Sequence, residues 1–440
     1  MSQPDGGPRK LGPFLAALVV AGSMVGSGVY LLPASLGAIG SISILGWIGA
    51  ILGASLLAGV FSFLAILRPD GGGLFPLIRD ALGPGVGFVV GVLYWCPVAN
   101  VPVALAVTGY LSFFVPQAAN GVGAMIASVS IIWLFVAANI LGARFVAKLG
   151  GWTLAAGLAP ILLVGIGGWF YFHPSIFAAS WNVSGHSPFT AAPNAVVIAF
   201  WAFLGVENAI VIAPLVRDPA RNVPVATFGG LAIGVAVYLS ACVVIMGILP
   251  ASVLAKSSAP FAAAAAPIVG GSIAGVLALC AMLKSAGTLG GAILVTAETA
   301  ESDAVLGQIV PGRPPRRADK PPTFNIILMG VLMTATVIAS ASPTLARQFT
   351  IVAEISVVLS LIAYLAGCVA LLRFSGAVAR ERRMLVRAVA VGGAVFCCGA
   401  IAASEPDLLI WTLAAVSVAS LAWLPVWLRR RRLLIAPKPA

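Results

Sequence analysis

Long apolar runs make up most of this sequence, and their length limits the folds open to it. In windows of about 20 residues, enough to cross ~30 Å of hydrocarbon, they fall near 12–38, 43–67, 85–115, 122–141, 150–172, 193–216, 226–249, 271–299, 323–341, 346–372, 385–403 and 406–428. Only 9% of the 440 residues are charged, against about 25% in a soluble domain, so this is a membrane protein. Lipid cannot satisfy a free backbone N–H or C=O, and no period-two alternation suggests a barrel, so the runs are expected to be helices. The expectation is an all-α membrane protein with twelve transmembrane helices. The first run is too long and too rich in glycine for a cleaved signal peptide, and no small-residue cleavage site follows it, so it should stay in place.

The formal charge of +12 is unevenly placed. With twelve spans and an inside N-terminus, all of the 25 Lys and Arg fall inside except Lys256 and Arg347, expected outside, and Lys284, within a span. This bias puts both termini in the cytoplasm, with the protein in the cytoplasmic (inner) membrane. The excess reports topology and contact with anionic lipid, and gives no reason to expect a nucleic-acid partner. The six cysteines all lie inside expected spans and are read as packing residues, without a disulfide framework or zinc pattern. No phosphate loop, metal motif or nucleophile–base pair appears, so neither a cofactor nor an enzyme is expected.

Two runs are interrupted at corresponding places, "GSMVGSG" (22–28) in the first and "FLGVENA" (203–209) in the sixth. A separation of five spans is what two inverted repeats of five helices would give. Broken helices expose N–H and C=O groups and half-helix dipole ends near the midplane, which can hold the carboxylate and ammonium of a zwitterion without a charged side chain. Glu207, in the second break, would cost roughly 2.5–3.5 kcal/mol at a bilayer centre and should face a cavity or a partner.

The connections are short. "GGGLFPLIRDALGPG" (71–85) is expected to hold a short cytoplasmic helix, and 249–267 an amphipathic helix outside. The longest are 173–192, outside, and 300–322, inside, where "PGRPPRRADKPP" is basic and proline-rich. "NVS" (182–184) fits a glycosylation sequon but is read as a loop cap, and His173 and His186 as surface residues.

"GSMVGSGVYLLPASLGAIGSISILGW", "GVLYWC", "SWNVSG", "WAFLGVENA", "VRDPARNVPVATFGG" and "AGTLGGA" resemble the amino acid, polyamine and organocation transporters, in particular the bacterial arginine/agmatine and putrescine/ornithine antiporters. The resemblance runs from about residue 12 to 375. It implies ten helices in a 5+5 inverted repeat (12–172 and 193–372), two peripheral helices (385–428), an N-terminal tail (1–11), a basic tail (429–440) and often a homodimer. It also implies alternating access for a small amino acid or amine, with protons as a coupling partner. Carried over, the substrate site comprises Ser23, Val25, Gly26, Ser27, Gly28, Asn100, Trp201, Phe203, Leu204, Glu207, Thr288 and Ala292. Ser27 and Gly28 would offer amides to a carboxylate, the carbonyls around Trp201 and Leu204 would accept an ammonium, and Trp201 would be an outer lid. Tyr94 and Tyr364 would close the inner side with Glu207.

The sequence departs from that pattern in three places. Ala292 stands where the arginine/agmatine antiporter has a tryptophan, removing an aromatic platform worth about 0.5–2 kcal/mol to a cation. Lys284 and Glu354 enter two spans; Lys284, Thr288 and Ala292 share one helical face. Three readings of Lys284 stand: a structural or gating pair with Glu354, a proton-coupling lysine, and a direct substrate ligand. Finally, "YWCPVAN" (94–100) is two residues short, which turns a helix by about 200°, so Tyr94 and Asn100 keep their orientations only if a kink at the prolines absorbs the difference. Overall similarity favours a cationic amino acid or polyamine as substrate; Ala292 and Lys284 favour a neutral amino acid. A channel-like or receptor-like protein would instead show a continuous pore with polar rings.

Overall fold

The computed structural model describes residues 10–69, 73–301 and 321–435. Among these the chain is helical, with no β-strand. Among the described residues nine helices are long and apolar enough to cross a membrane, and a bent pair would make a tenth; Ala156–Tyr171 and Thr323–Ala339, in the fifth and ninth runs, hold shorter apolar helices.

The bent pair is the first apolar run. Helix α1 (Pro13–Met24) stops where Val25 leaves helical geometry (ψ 74°), Gly26 N–H turns back to Met24 O (2.8 Å), and α2 (Gly28–Gly37) starts again at 54°. Glycine and serine are poor helix formers, and two glycines flanking one serine let the axis turn. Then follow α3 (Ser43–Leu67), α4 (Leu74–Leu82), α5 (Pro84–Trp95), α6 (Val101–Leu111), α7 (Gly121–Leu141), α8 (Ala143–Gly165) and α9 (Pro174–Ala179). The sixth run is broken too: α10 (Pro188–Phe200) gives way to a 3₁₀ turn, an extended Leu204 (ψ 134°) and Gly205 (φ +104°) before the short α11 (Asn208–Ile212). The rest is α12 (Pro219–Ile248), α13 (Ala251–Leu254), α14 (Pro260–Glu301), α15 (Thr323–Ala339), α16 (Leu345–Phe374), α17 (Arg380–Ala402) and α18 (Pro406–Ile435).

Helix α1 lies along α12, α10 along α3, α8 along α14, and α5 and α6 along α16. At the ends of α1 and α11 remote from the breaks a parallel bridge joins the chain: Leu11 N–H donates to Leu215 O (2.8 Å) and Arg217 N–H to Leu11 O (2.9 Å). The core at the junction is aromatic, with Trp47 of α3 edge-on to Phe203 (5.9 Å) and near Tyr238 of α12 (6.2 Å).

The connections refine the sequence reading. The helix expected in 71–85 is α4. In place of one amphipathic helix over 249–267 there are two pieces, α13 and the start of α14, which runs on past a kink at Gly270 (φ +80°). Pro250 and Pro260 each start a helical segment because their fixed φ suits a first turn and breaks what precedes it. Asn182 acts as the expected loop cap, accepting from Ser184 Oγ (2.7 Å) and donating to His186 O (2.8 Å). The proline-rich part of 300–322 lies outside the described residues. Of the cysteines, Cys242, Cys368 and Cys397 are buried and Cys398 is exposed.

Close contact of α3 with α10 depends on Gly46, where an added Cβ would sit 2.6 Å from the Ala195 carbonyl carbon. Gly46→Val should lower stability by about 1–3 kcal/mol through overpacking. Gly271→Ala, at a site with nothing within 4 Å, should leave the thermal melting midpoint of purified protein unchanged or raise it. Equal midpoints for the two variants would refute this account of the contact.

Candidate functional site

The two breaks meet. Ser23 Oγ donates to Val20 O (2.7 Å) and across to Gly205 O (3.1 Å), while the Tyr238 hydroxyl donates to Met24 O (2.9 Å). Gly205 needs its positive φ, and a Cβ there would lie 2.9 Å from Ser23 O. Carbonyls at the end of α1 and in the second break are therefore engaged. The amides of the first turn of α2 are different: Ser27 is buried at the N-cap and its side chain makes no capping bond. The first turn of any helix has amides without helical acceptors, at the positive end of its dipole. That end suits a carboxylate.

Trp201 lies on this turn. Its indole occupies the place where a side chain on Gly28 would go, and its ring stands edge-on to Phe349 of α16 (6.2 Å, 81°). Thr288 of α14 approaches from the other side, its methyl 3.8 Å from a Cβ built on Gly26. Gly26, Ser27, Gly28, Trp201 and Thr288 are thus brought together. Val25 is half-buried at the break, its amide bonded to Ala21 O (2.7 Å). Ala292 lies one turn beyond Thr288, half-buried. Phe203 is placed otherwise: its ring is fully buried against Trp47 and Phe200, so its side chain belongs to the core. Trp201 O accepts Leu204 N–H (3.3 Å), keeping one lone pair for another donor.

Glu207, at the start of α11, is buried and fully engaged. Its Oε1 accepts from Tyr94 Oη, and its Oε2 from Tyr364 Oη (2.5 Å) and Gly205 N–H (3.0 Å). Three converging donors meet the price of burying a carboxylate. The tyrosines are themselves held by rings, Tyr94 by Phe75 of α4 (4.9 Å) and Tyr364 by Phe61 of α3 (5.0 Å). On the same side Arg373 donates to Ala81 O (2.8 Å), tying the end of α16 to α4.

Tyr94 reaches Glu207 because the third apolar run does kink. Helix α5 ends at Trp95, Cys96 is extended (ψ 125°), and Pro97–Asn100 is a 3₁₀ turn before α6. The turn aims Asn100 away from the breaks, its Nδ2 donating to Thr296 Oγ1 of α14 (3.0 Å). Trp95 Nε1 bonds the Thr296 carbonyl (2.9 Å).

The expected Lys284–Glu354 pair does not form. The Lys284 stem lies on Gly157 of α8, where a Cβ would be 2.7 Å from Lys284 Cβ, and Nζ donates to Thr288 Oγ1 (3.2 Å). Its helix packs on α8, and the side chain follows that surface. Glu354 is buried on α16, and its Oε2 has no hydrogen-bond partner.

Residues that sequence reasoning missed are Thr296, Phe349 and Tyr238. Thr296 continues the face of Lys284, Thr288 and Ala292 by one more turn, a signal that was available. Phe349 and Tyr238 had none, since their roles come from contacts between distant helices.

Residues 11–427 match a family model described as amino acid permease. The chain is 34% identical over 396 residues to the cadaverine/lysine antiporter of Escherichia coli (strain K12), covering 88% of each. It is 28% identical over 366 residues to the putrescine transporter PotE of the same strain, covering 82% of this chain and 83% of that one. To the putrescine transporter PotE of Haemophilus influenzae it is 28% identical over 365 residues, covering 82% and 84%.

Tyr94→Phe and Tyr364→Phe each remove a donor from one buried carboxylate, a loss of about 1.5–3 kcal/mol. Because both act on Glu207, their combined effect on melting should depart from the sum by at least ~0.5 kcal/mol. Strictly additive losses would show that the tyrosines do not act through it.

Proposed function

The chain belongs to the amino acid permease family, and we propose that it is a secondary transporter, not an enzyme, that exchanges a cationic amino acid for its decarboxylated amine by alternating access. The observation that carries this reading is the junction of two broken helices. There the uncapped turn at Ser27 and Gly28 offers amides to a carboxylate beneath Trp201, and the Glu207–Tyr94–Tyr364 cluster closes the other side. The names of the relatives supply the substrate class: cadaverine and lysine for one, putrescine for the others.

The reading includes twelve spans, ten of them in two inverted repeats of five, with α17 and α18 peripheral. Helix packing supports the repeat. If the first span corresponds to the sixth and the second to the seventh, the α1–α12 contact maps onto α10–α3, and the α8–α14 contact onto α16 with α5 and α6. Both termini are read as cytoplasmic from the basic loops. Coupling to protons and a homodimer belong to the same reading, which the resemblance supplies. A second reading, a neutral amino acid, is favoured by the small, half-buried Ala292 where an aromatic platform would stand for a cation.

Counterflow in proteoliposomes tests both. With labelled lysine inside, external cadaverine, putrescine or lysine should drive exchange and neutral amino acids should not. Exchange driven by neutral amino acids alone would support the second reading, and none with any amino acid or amine would defeat both. Gly28→Ala should lower exchange more than tenfold, since the added methyl must displace the Trp201 indole, without a comparable fall in melting midpoint.

A further inference from the structure

A cavity of about 190 Å³ opens beside α2, α10 and α16, on the face that carries the 182–186 loop. Its volume is roughly that of six water molecules. Glu354 lines it from α16, only 5% exposed, with Oε2 unpartnered. An unpaired buried carboxylate in a membrane span is costly and needs a partner.

The surroundings show what kind of partner. Thr350, one turn along α16, donates to Ser35 Oγ (2.8 Å) and so is taken. At the mouth Arg347 is held by Glu405, with Nη2 3.1 Å from Oε2 and 3.4 Å from Oε1, so the one guanidinium lining the cavity is engaged with the second carboxylate. The lining groups that can carry charge are Glu354, Glu405, Arg347 and His186, and the guanidinium is already held by Glu405, which leaves Glu354 as the acceptor without a partner. The floor is Ile198, one turn before Trp201, while Phe349, which the Trp201 ring meets edge-on, adjoins Thr350. The cavity is therefore lined one helical turn from Trp201 and next to its ring partner.

We propose that this cavity is an entry subsite for a primary alkylammonium group, with Glu354 as its acceptor and the Arg347–Glu405 pair as its cover. The inference rests on the reading of the chain as a carrier of cationic substrates. The subsite holds the amine on the side that the charge bias assigns to the exterior, before Trp201 moves.

The test is counterflow with full-length protein, with cadaverine and lysine as external probes. Glu354→Gln should raise the external KM for both about tenfold with kcat changed less than twofold, and Glu354→Asp should restore part of the affinity. Arg347→Ala, which removes the competing cation, should lower KM. An unchanged KM in Glu354→Gln, or KM and kcat falling together with melting in both the Gln and Asp variants, would overturn the subsite. If Glu354→Gln does not fold, Arg347→Ala decides, and a KM that does not fall refutes the proposal.

Should wild type exchange no cationic substrate, the functional reading fails by itself. The subsite is then judged by calorimetric titration of the purified protein with cadaverine. Binding lost in Glu354→Gln supports it; absent or unaltered binding, or a signal saturated by sodium alone, overturns it.

Discussion

A peptide group in hydrocarbon must find a hydrogen-bond partner inside the protein, and a helix broken at depth is tolerable only when something answers its freed groups. Here the first break answers part of the second, and neighbouring side chains answer more. Ser23 reaches Gly205 O, Tyr238 reaches Met24 O, and the Gly205 amide is met by Glu207. These contacts stop short of the first turn of α2, where Ser27 makes no side-chain cap and Trp201 covers Gly28; this is the end to which the proposed reading assigns the ligand.

Two unlike closures flank that end. On one side a single indole rests on a glycine, edge-on to Phe349 and packed on apolar neighbours, which makes a barrier of dispersion contacts that can slide. On the other, a carboxylate is gripped by two hydroxyls and an amide, which makes a barrier of directional bonds that release together. In the proposed alternating-access cycle, different physical forces on the two sides let one yield while the other holds.

The helical membrane class and both breaks were legible in the sequence, because length, polarity and glycine content are local properties. So were Glu207 and its two tyrosines, though only through the resemblance. The ring of Phe203, a residue carried over to the substrate site, turns into the core against Trp47, a packing that nothing in its sequence neighbourhood shows. The Lys284–Glu354 pair was reasoned from the cost of two buried charges. The cost is real, but direction was missing: Lys284 follows the glycine-lined surface of α8, and Glu354 faces a cavity that no local pattern encodes. The kink at Pro97 rescued Tyr94 while it turned Asn100 toward Thr296, two outcomes that one shortened stretch could not separate.

The bridge between Leu11 and Val216 acts at the far ends of the two interrupted helices. It fastens the start of α1 to the chain just after α11, so neither half-helix can swing out alone without breaking backbone bonds. In the proposed transport cycle the two segments move on that face as one lever, hinged at the Gly26–Gly28 and Gly205 joints.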